Sequence, residues 1–311
     1  MDFRRGIEQL IMKKLLLTLF VLVGFTSAWA QDDLLNMIDQ ENPQKPVPVF
    51  ATFKSTRVLT GQSIEHVAAK HLNFVILHRF GEVNGGAYTL YGLDEANMRL
   101  VFDYGLTKNI QLGAARTNVG KTYDVNLKVK LLNQSKGKGG IPFSLGYYSN
   151  VAVNSERWAD PTRNNYFTSR LTFFNQVIIA KKFGDRLSLQ VAPTVSHQNL
   201  VPLKKDVNTM FVMGLGGSVK LNRSFRFNFE YYPRLNGRDM LSPSGSKCYD
   251  YLALGVDIET GGHVFQLMLS NGKGMLEQHM VRQTITSWSD LGIRLGFNIS
   301  RTFSFDKNAK K

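Results

Sequence analysis

The chain has 311 residues, 43% of them hydrophobic and 20% charged, with a formal net charge of +14 at neutral pH. It is too apolar and aromatic for a disordered chain and, at a mean hydropathy of −0.17, too polar for a bundle of membrane helices. A single cysteine excludes an internal disulfide and a Cys-based zinc site.

The first element is an export leader over residues 1–30. Met12-Lys13-Lys14 opens it with positive charge, Leu15 to Phe25 is its apolar stretch, and Ala28-Trp29-Ala30 supplies the small residues of a cleavage site. Met12 begins a complete leader by itself and is the expected true start. The apolar stretch is too short to cross about 30 Å of hydrocarbon as a helix, and no cysteine follows it to carry a lipid. The leader fits periplasm, outer membrane or medium. Export also bears on the charge. A basic cytoplasmic protein suggests nucleic acid, but an exported one rarely meets any, and no nucleic-acid-binding signature is present. An anionic lipid surface or an anionic solute explains the basic balance better.

Residues 31–58 form a short N-terminal periplasmic segment. A short helix is plausible near Leu34 to Asp39, and Pro43, Pro46 and Pro48 then make a stiff, extended linker. Phe53 to Arg57 mixes aromatic and basic groups. Two readings stand: a plug tucked into a barrel, with Lys54 and Arg57 pairing lumen carboxylates, or a periplasmic tail or extra edge strand.

From about residue 72 onward, runs of apolar and polar residues alternate with period two, the pattern of β-strands. Val125, Leu127, Val129 and Leu131 alternate with Asp124, Asn126, Lys128 and Lys130; Phe225, Phe227, Phe229 and Tyr231 alternate with Arg226, Asn228 and Glu230. The pattern predicts about twelve strands, near 72–80, 97–105, 108–117, 121–131, 142–153, 170–183, 186–196, 209–221, 224–232, 249–259, 262–270 and 290–300. Strands of soluble proteins usually run about five or six residues, whereas a tilted transmembrane strand needs about nine to eleven. Long connections (81–96, 154–169, 197–208, 233–248, 271–289) alternate with short turns at Leu106-Thr107-Lys108, Gly184-Asp185, Asn222-Arg223 and Thr260-Gly261. The tight turn near Val119-Gly120 and the link 132–141 depart from this rule. Short turns on one rim and long loops on the other belong to membrane barrels. The expected fold is all-β, an antiparallel up-and-down transmembrane β-barrel over residues 59–311, in the outer membrane.

The alternation assigns Arg79, Arg99, Lys128, Lys130, Lys220, Arg226 and Arg294 to the polar inner face, with Asp103, Asp124, Glu230 and Asp257. A basic excess would favour anions; the competing possibility is a closed salt-bridge network that fills the lumen. Gly214, Gly216 and Ser218 suit a crowded inner wall. Tyr104, Tyr123, Tyr231, Tyr232 and Tyr249 lie toward strand ends, as in interfacial girdles, and the aromatic-rich end with Phe297, Phe303 and Phe305 suits recognition by the barrel-insertion machinery.

The series Ala51-Thr52-Phe53-Lys54-Ser55-Thr56-Arg57, His78-Arg79-Phe80-Gly81, Asn84-Gly85-Gly86-Ala87-Tyr88, Tyr91-Gly92-Leu93-Asp94 and Asp103-Tyr104-Gly105 resembles an uncharacterised outer-membrane β-barrel family of Bacteroidota, a domain of unknown function. The resemblance covers about residue 50 to the end and implies a Gram-negative outer-membrane barrel. It brings no activity, ligand or catalytic residue.

Other chemistry is weakly signalled. The six histidines, His66, His71, His78, His197, His263 and His279, show no metal-site spacing, and no cofactor is implied. Ser242, Ser244, Ser246 and His263 raise lipid hydrolysis, but no G-x-S-x-G elbow accompanies them. Cys248 reads as an isolated thiol. The expected function is therefore non-enzymatic: a narrow passive channel for small polar or anionic solutes, in contact with outer-membrane lipid. Its candidate selectivity residues are Arg79, Arg99, Asp103, Asp124, Lys128, Lys130, Arg226, Glu230 and Arg294. The alternatives are a non-conducting adhesion or assembly scaffold and an outer-membrane lipid hydrolase.

Overall fold

The computed structural model describes residues 46–158, 160–242, 245–260 and 262–305. The expected leader, the helix near Leu34 to Asp39 and the linker up to residue 45 lie outside them.

The alternating runs form twelve strands: β1 His71–Glu82, β2 Ala96–Gly105, β3 Ile110–Thr117, β4 Thr122–Leu132, β5 Ser144–Asn154, β6 Leu171–Phe183, β7 Leu187–Gln198, β8 Thr209–Lys220, β9 Phe225–Tyr232, β10 Tyr251–Thr260, β11 His263–Ser270 and β12 Arg294–Ser304. Each pairs antiparallel with the next, and β12 returns to β1 to close the barrel. Closure leaves no unpaired sheet edge, which hydrocarbon demands. Long connections share one rim and short turns the other, apart from 118–121 and 133–143.

Inward and outward faces follow the alternation. Met98, Phe102, Val125, Leu189, Phe227 and Leu295 point out and stay exposed. Arg79, Arg99, Asp103, Lys128, Asn228 and Glu230 point in and are buried. Apolar outside and polar inside inverts the arrangement of a soluble protein and suits a barrel set in lipid. Tyr123 and Tyr231 face outward near the long-loop rim, as expected of a girdle. Tyr232 does not: it is buried and packs edge-on against Tyr251 inside the barrel.

The wall begins at His71, close to the first strand expected near 72–80, and the residues ahead of it turn inward. Two expectations change. The last strand runs Arg294–Ser304 instead of 290–300. Leu291 has a φ of +52°, which strand backbone does not tolerate, and the Gly292 amide bonds the Ser287 carbonyl at 2.9 Å, so the alternation at 291–293 belongs to a loop. Finally, the loop between β11 and β12 contains a short helix, α1, at Glu277–Arg282, with all six residues buried. The alternation did not signal it.

A separate small unit pairs Val47–Pro48 antiparallel with Ser135–Lys136.

Candidate functional site in the barrel interior

Two segments fill the interior. The first precedes β1. Arg57 and Gln62 form an antiparallel bridge, and the Val58 amide bonds the Gly61 carbonyl at 3.0 Å, so residues 57–62 make a tight hairpin. Its tip presents three successive amides to one carboxyl group, that of Glu230 on β9. Leu59 N–H donates to Oε1 at 2.8 Å, Thr60 N–H to Oε2 at 3.0 Å and Gly61 N–H to Oε1 at 3.0 Å. A run of turn amides aimed at one point is a nest for an anion. The tip carbonyls are also satisfied. Gln266 on β11 donates to Val58 at 2.9 Å, and Asn298 on β12 donates to Leu59 at 2.7 Å. The side chains fit gaps in the wall. A Cβ on Gly255 would approach Leu59 to 2.7 Å, and one on Gly146 would approach Ile64 to 3.0 Å. Small inward residues therefore make room for the hairpin.

The second segment is α1. Glu277 receives the Arg57 guanidinium at 2.6 Å, the Gln62 amide at 2.7 Å and Arg99 of β2 at 3.3 Å. Arg99 also donates to Asp124 of β4 at 2.7 Å and to the Met275 carbonyl at 2.8 Å. The helix thus joins the hairpin to the wall through one chain of buried charges.

The structure places the nine sequence-derived candidates as follows. Glu230 and Arg99 hold the two inserted segments as described, and Arg99 reaches Asp124. Lys128 donates to the Thr56 and Glu65 carbonyls at 3.0 and 2.8 Å. Arg79 donates to the Thr60 hydroxyl at 2.8 Å and to Asn298 at 3.0 Å. Arg226 donates to the Thr52 carbonyl at 3.3 Å, and Asp103 accepts from Asn126 at 3.4 Å. Arg294 pairs with Glu82 at the long-loop end, and Lys130 is half-buried on the same inward face. Arg79, Arg99, Lys128 and Glu230 are all 0% exposed. Of the two alternatives for the inward charges, an open lumen and a filled one, the structure has the filled one: they are covered by protein, because two segments that neither span the wall nor leave the barrel occupy the space. Lys54 pairs with Glu259, and Arg57 pairs with Glu277, which lies on α1 and not on the wall.

Sequence reasoning missed Glu277, Gln62, Gln266 and Asn298. The only local signal near α1 was the i, i+4 pair Leu276 and Met280 inside a long loop, too short a pattern to mark a helix. Its Glu277 meets Arg57 and Arg99 on other elements, a pairing that no local pattern displays.

Neither inserted segment is a membrane-spanning strand. Burial alone would raise the Glu277 carboxyl, but Arg57 and Arg99 hold it down at about 2. Burial, together with Arg99, lowers His279 to about 4. Burial, together with Lys128 and Lys130, lowers His66 to about 3. Both imidazoles are neutral at neutral pH.

The hydrolase candidates do not converge. His263 begins β11 at the short-turn rim, whereas Ser242 and Ser246 lie in the loop between β9 and β10 at the opposite rim. Ser244 lies outside the described residues. The Cys248 thiol is buried and donates to the Arg282 carbonyl at 3.3 Å.

Residues 53–303 match the family model described as "Membrane bound beta barrel domain (DUF5777)". None of the curated proteins matches the chain. Among solved structures it is similar to a COG4313 outer membrane channel from Pseudomonas putida F1, at 11% identity and a TM-score of 0.45, over 77% of this chain and 97% of that one. It is also similar to the NanC porin, at 10% identity and a TM-score of 0.44, over 75% of this chain and all of the porin. The outer membrane phospholipase A from Escherichia coli matches at 14% identity and a TM-score of 0.41, over 74% and 89%. With TM-scores below 0.5, these likenesses lend weight to no particular activity.

Proposed function

The chain belongs to the membrane bound beta barrel domain family, and on that premise we propose that this outer-membrane barrel is a narrow passive channel for small polar or anionic solutes, kept shut by its own N-terminal segment. The observation that carries this reading is the Glu230 nest. The hairpin tip is held by three amide hydrogen bonds to a single wall carboxyl group, bonds that water could replace, and by Val58 and Leu59, which are buried in one apolar cluster with the wall residues Val212, Ala253 and Met268. With the hairpin withdrawn, Arg79, Lys128 and Arg226 would lose the carbonyl and hydroxyl groups that now receive them. Over the whole inner face Arg79, Arg99, Lys128, Lys130, Lys220, Arg226 and Arg294 outnumber Asp103, Asp124, Glu230 and Asp257 even with Glu277 freed of Arg57, and that basic excess favours anions. The leader over residues 1–30, a Bacteroidota source and recognition of the terminal Phe303 and Phe305 by insertion machinery complete the proposal.

The test is conductance of the refolded chain in a planar bilayer under a salt gradient. Wild type should be mostly closed. Glu230→Gln and a deletion of residues 49–67 should each raise open probability at least about tenfold, with an anion-leaning reversal potential. If both variants fold, as judged by heat-modifiable migration, and stay silent, the channel reading fails. The filled interior then favours a non-conducting scaffold whose long loops meet partners.

A further inference from the structure

At the long-loop rim, a cavity of about 230 Å³ opens between α1, the upper ends of β4 to β7 and the loop that joins β5 to β6. Its lining brings together Arg157, Trp158, Arg170, Gln278, His279 and Arg282. The interior network described above uses none of these side chains apart from the Gln278 bond to Asn150.

Three features define what would fit. The first is a surplus of positive charge. Arg282 is fixed by the Ser196 hydroxyl at 3.0 Å and by the Ser196, Val207 and Asn208 carbonyls at 2.6, 3.2 and 2.5 Å, and Asp206 offsets part of its charge. Arg170 donates to the Asn154 carbonyl at 2.7 Å and lies 3.8 Å above the Trp158 ring. Among the described residues, neither they nor Arg157 form an ion pair, and the lining holds one acid, the exposed Glu156. Guanidinium groups that lack a protein carboxylate are suited to a ligand's carboxylate.

The second feature is unmet hydrogen bonding. Gln278 and His279 are 2% and 8% exposed, yet Gln278 Oε1 and His279 Nδ1 have no hydrogen-bond partner. A buried carbonyl oxygen without a donor costs free energy until a donor arrives. A bare anion cannot supply that donor, but a hydroxyl group can. The third feature is size and surface. The volume suits one six-membered ring, and the indole of Trp158 offers an apolar edge to its C–H groups.

We propose that this cavity binds a hydroxylated organic carboxylate of monosaccharide size, a sugar acid. Arg157 and Arg170 take the carboxylate, with Arg282 adding positive charge, and Gln278 with His279 takes the ring hydroxyls. The site is separate from the hairpin, so binding does not depend on the channel reading.

The test is titration calorimetry of the full mature chain in detergent micelles. The probes are D-glucuronate, D-glucose (hydroxyls without charge) and acetate (charge without hydroxyls). Glucuronate should bind at least about tenfold more tightly than either of the others. Arg157→Gln, at an exposed position, should weaken it about tenfold, and Arg170→Gln should weaken it similarly. Gln278→Met should weaken glucuronate and leave acetate unchanged. Absence of glucuronate binding to folded protein would overturn the proposal. So would equal binding of glucose, equal binding of acetate, or indifference to both arginine changes. The channel reading would survive any of these outcomes, because it is measured by conductance.

Discussion

Gly61 shows how little slack the hairpin tip has. A Cβ there would lie 2.0 Å from the Tyr232 hydroxyl oxygen, closer than atoms can approach. Gly61→Ala should therefore lift the tip off Glu230. Each amide that loses its acceptor without gaining water costs about 1–3 kcal/mol. The expected result is faster protease cleavage within residues 51–67 while the barrel stays folded. The same tip responds to pH through its surroundings. His279 and His66 fall from 6.5 to about 4 and about 3 on burial. Their lowered values add stability that is fully present above about pH 6.5 and is lost as pH falls toward 4. Glu277, lowered from 4.5 to about 2, adds stability that is lost over the lower window from 4.5 to 2. Acid should thus loosen both inserted segments, by up to about tenfold per pH unit for each histidine that titrates. Protease sensitivity that stays flat from about pH 7 to about pH 4 would contradict this. At this scale the inward faces were legible, because alternation alone sorts Arg99 from Leu100 and Lys128 from Val129. Their partners were not legible. Glu230 meets Leu59, Thr60 and Gly61 across about 170 positions of chain, a distance that no local pattern covers.

At the scale of elements, the strands were readable because each carries a continuous period of two. The exceptions have physical causes. Near Leu291 a left-handed residue interrupts a pattern that reads as unbroken strand. In α1, six residues are too few to establish a helical period, and the helix exists because its neighbours hold it. The inward turn before β1 is held by wall residues that lie far along the chain. Glu277 is the link between these two inserted elements. Glu277→Gln leaves Arg57 and Arg99 short of charge in a buried site, and breaking such pairs costs about 3–5 kcal/mol. The midpoint of urea unfolding, followed by heat-modifiable migration, should drop accordingly. Replacing both partners, with Glu277→Leu and Arg57→Met, should recover part of the loss, because Arg99 retains Asp124 at 2.7 Å.

For the whole molecule, the outer surface and the interior answer to different solvents. Lipid takes the apolar outer face. The inner face meets the chain's own segments. The sequence reading carried the barrel, its strand number and its two unequal rims, and left open whether the lumen was filled. The pairing of β12 with β1 has a further consequence, for how the molecule is made. The hairpin is tethered directly ahead of β1, and α1 directly ahead of β12, so both guests hang from the two strands that meet at the seam. A cylinder zipped shut before they entered would have to admit them through its ends. Assembly is simpler if they settle against the curling sheet and the seam closes over them last. Cysteines at the outward register pair Phe74 and Arg301 would report that closure. Disulfide formation there should lag protection of the hairpin from protease, and a seam that forms first would reverse that order.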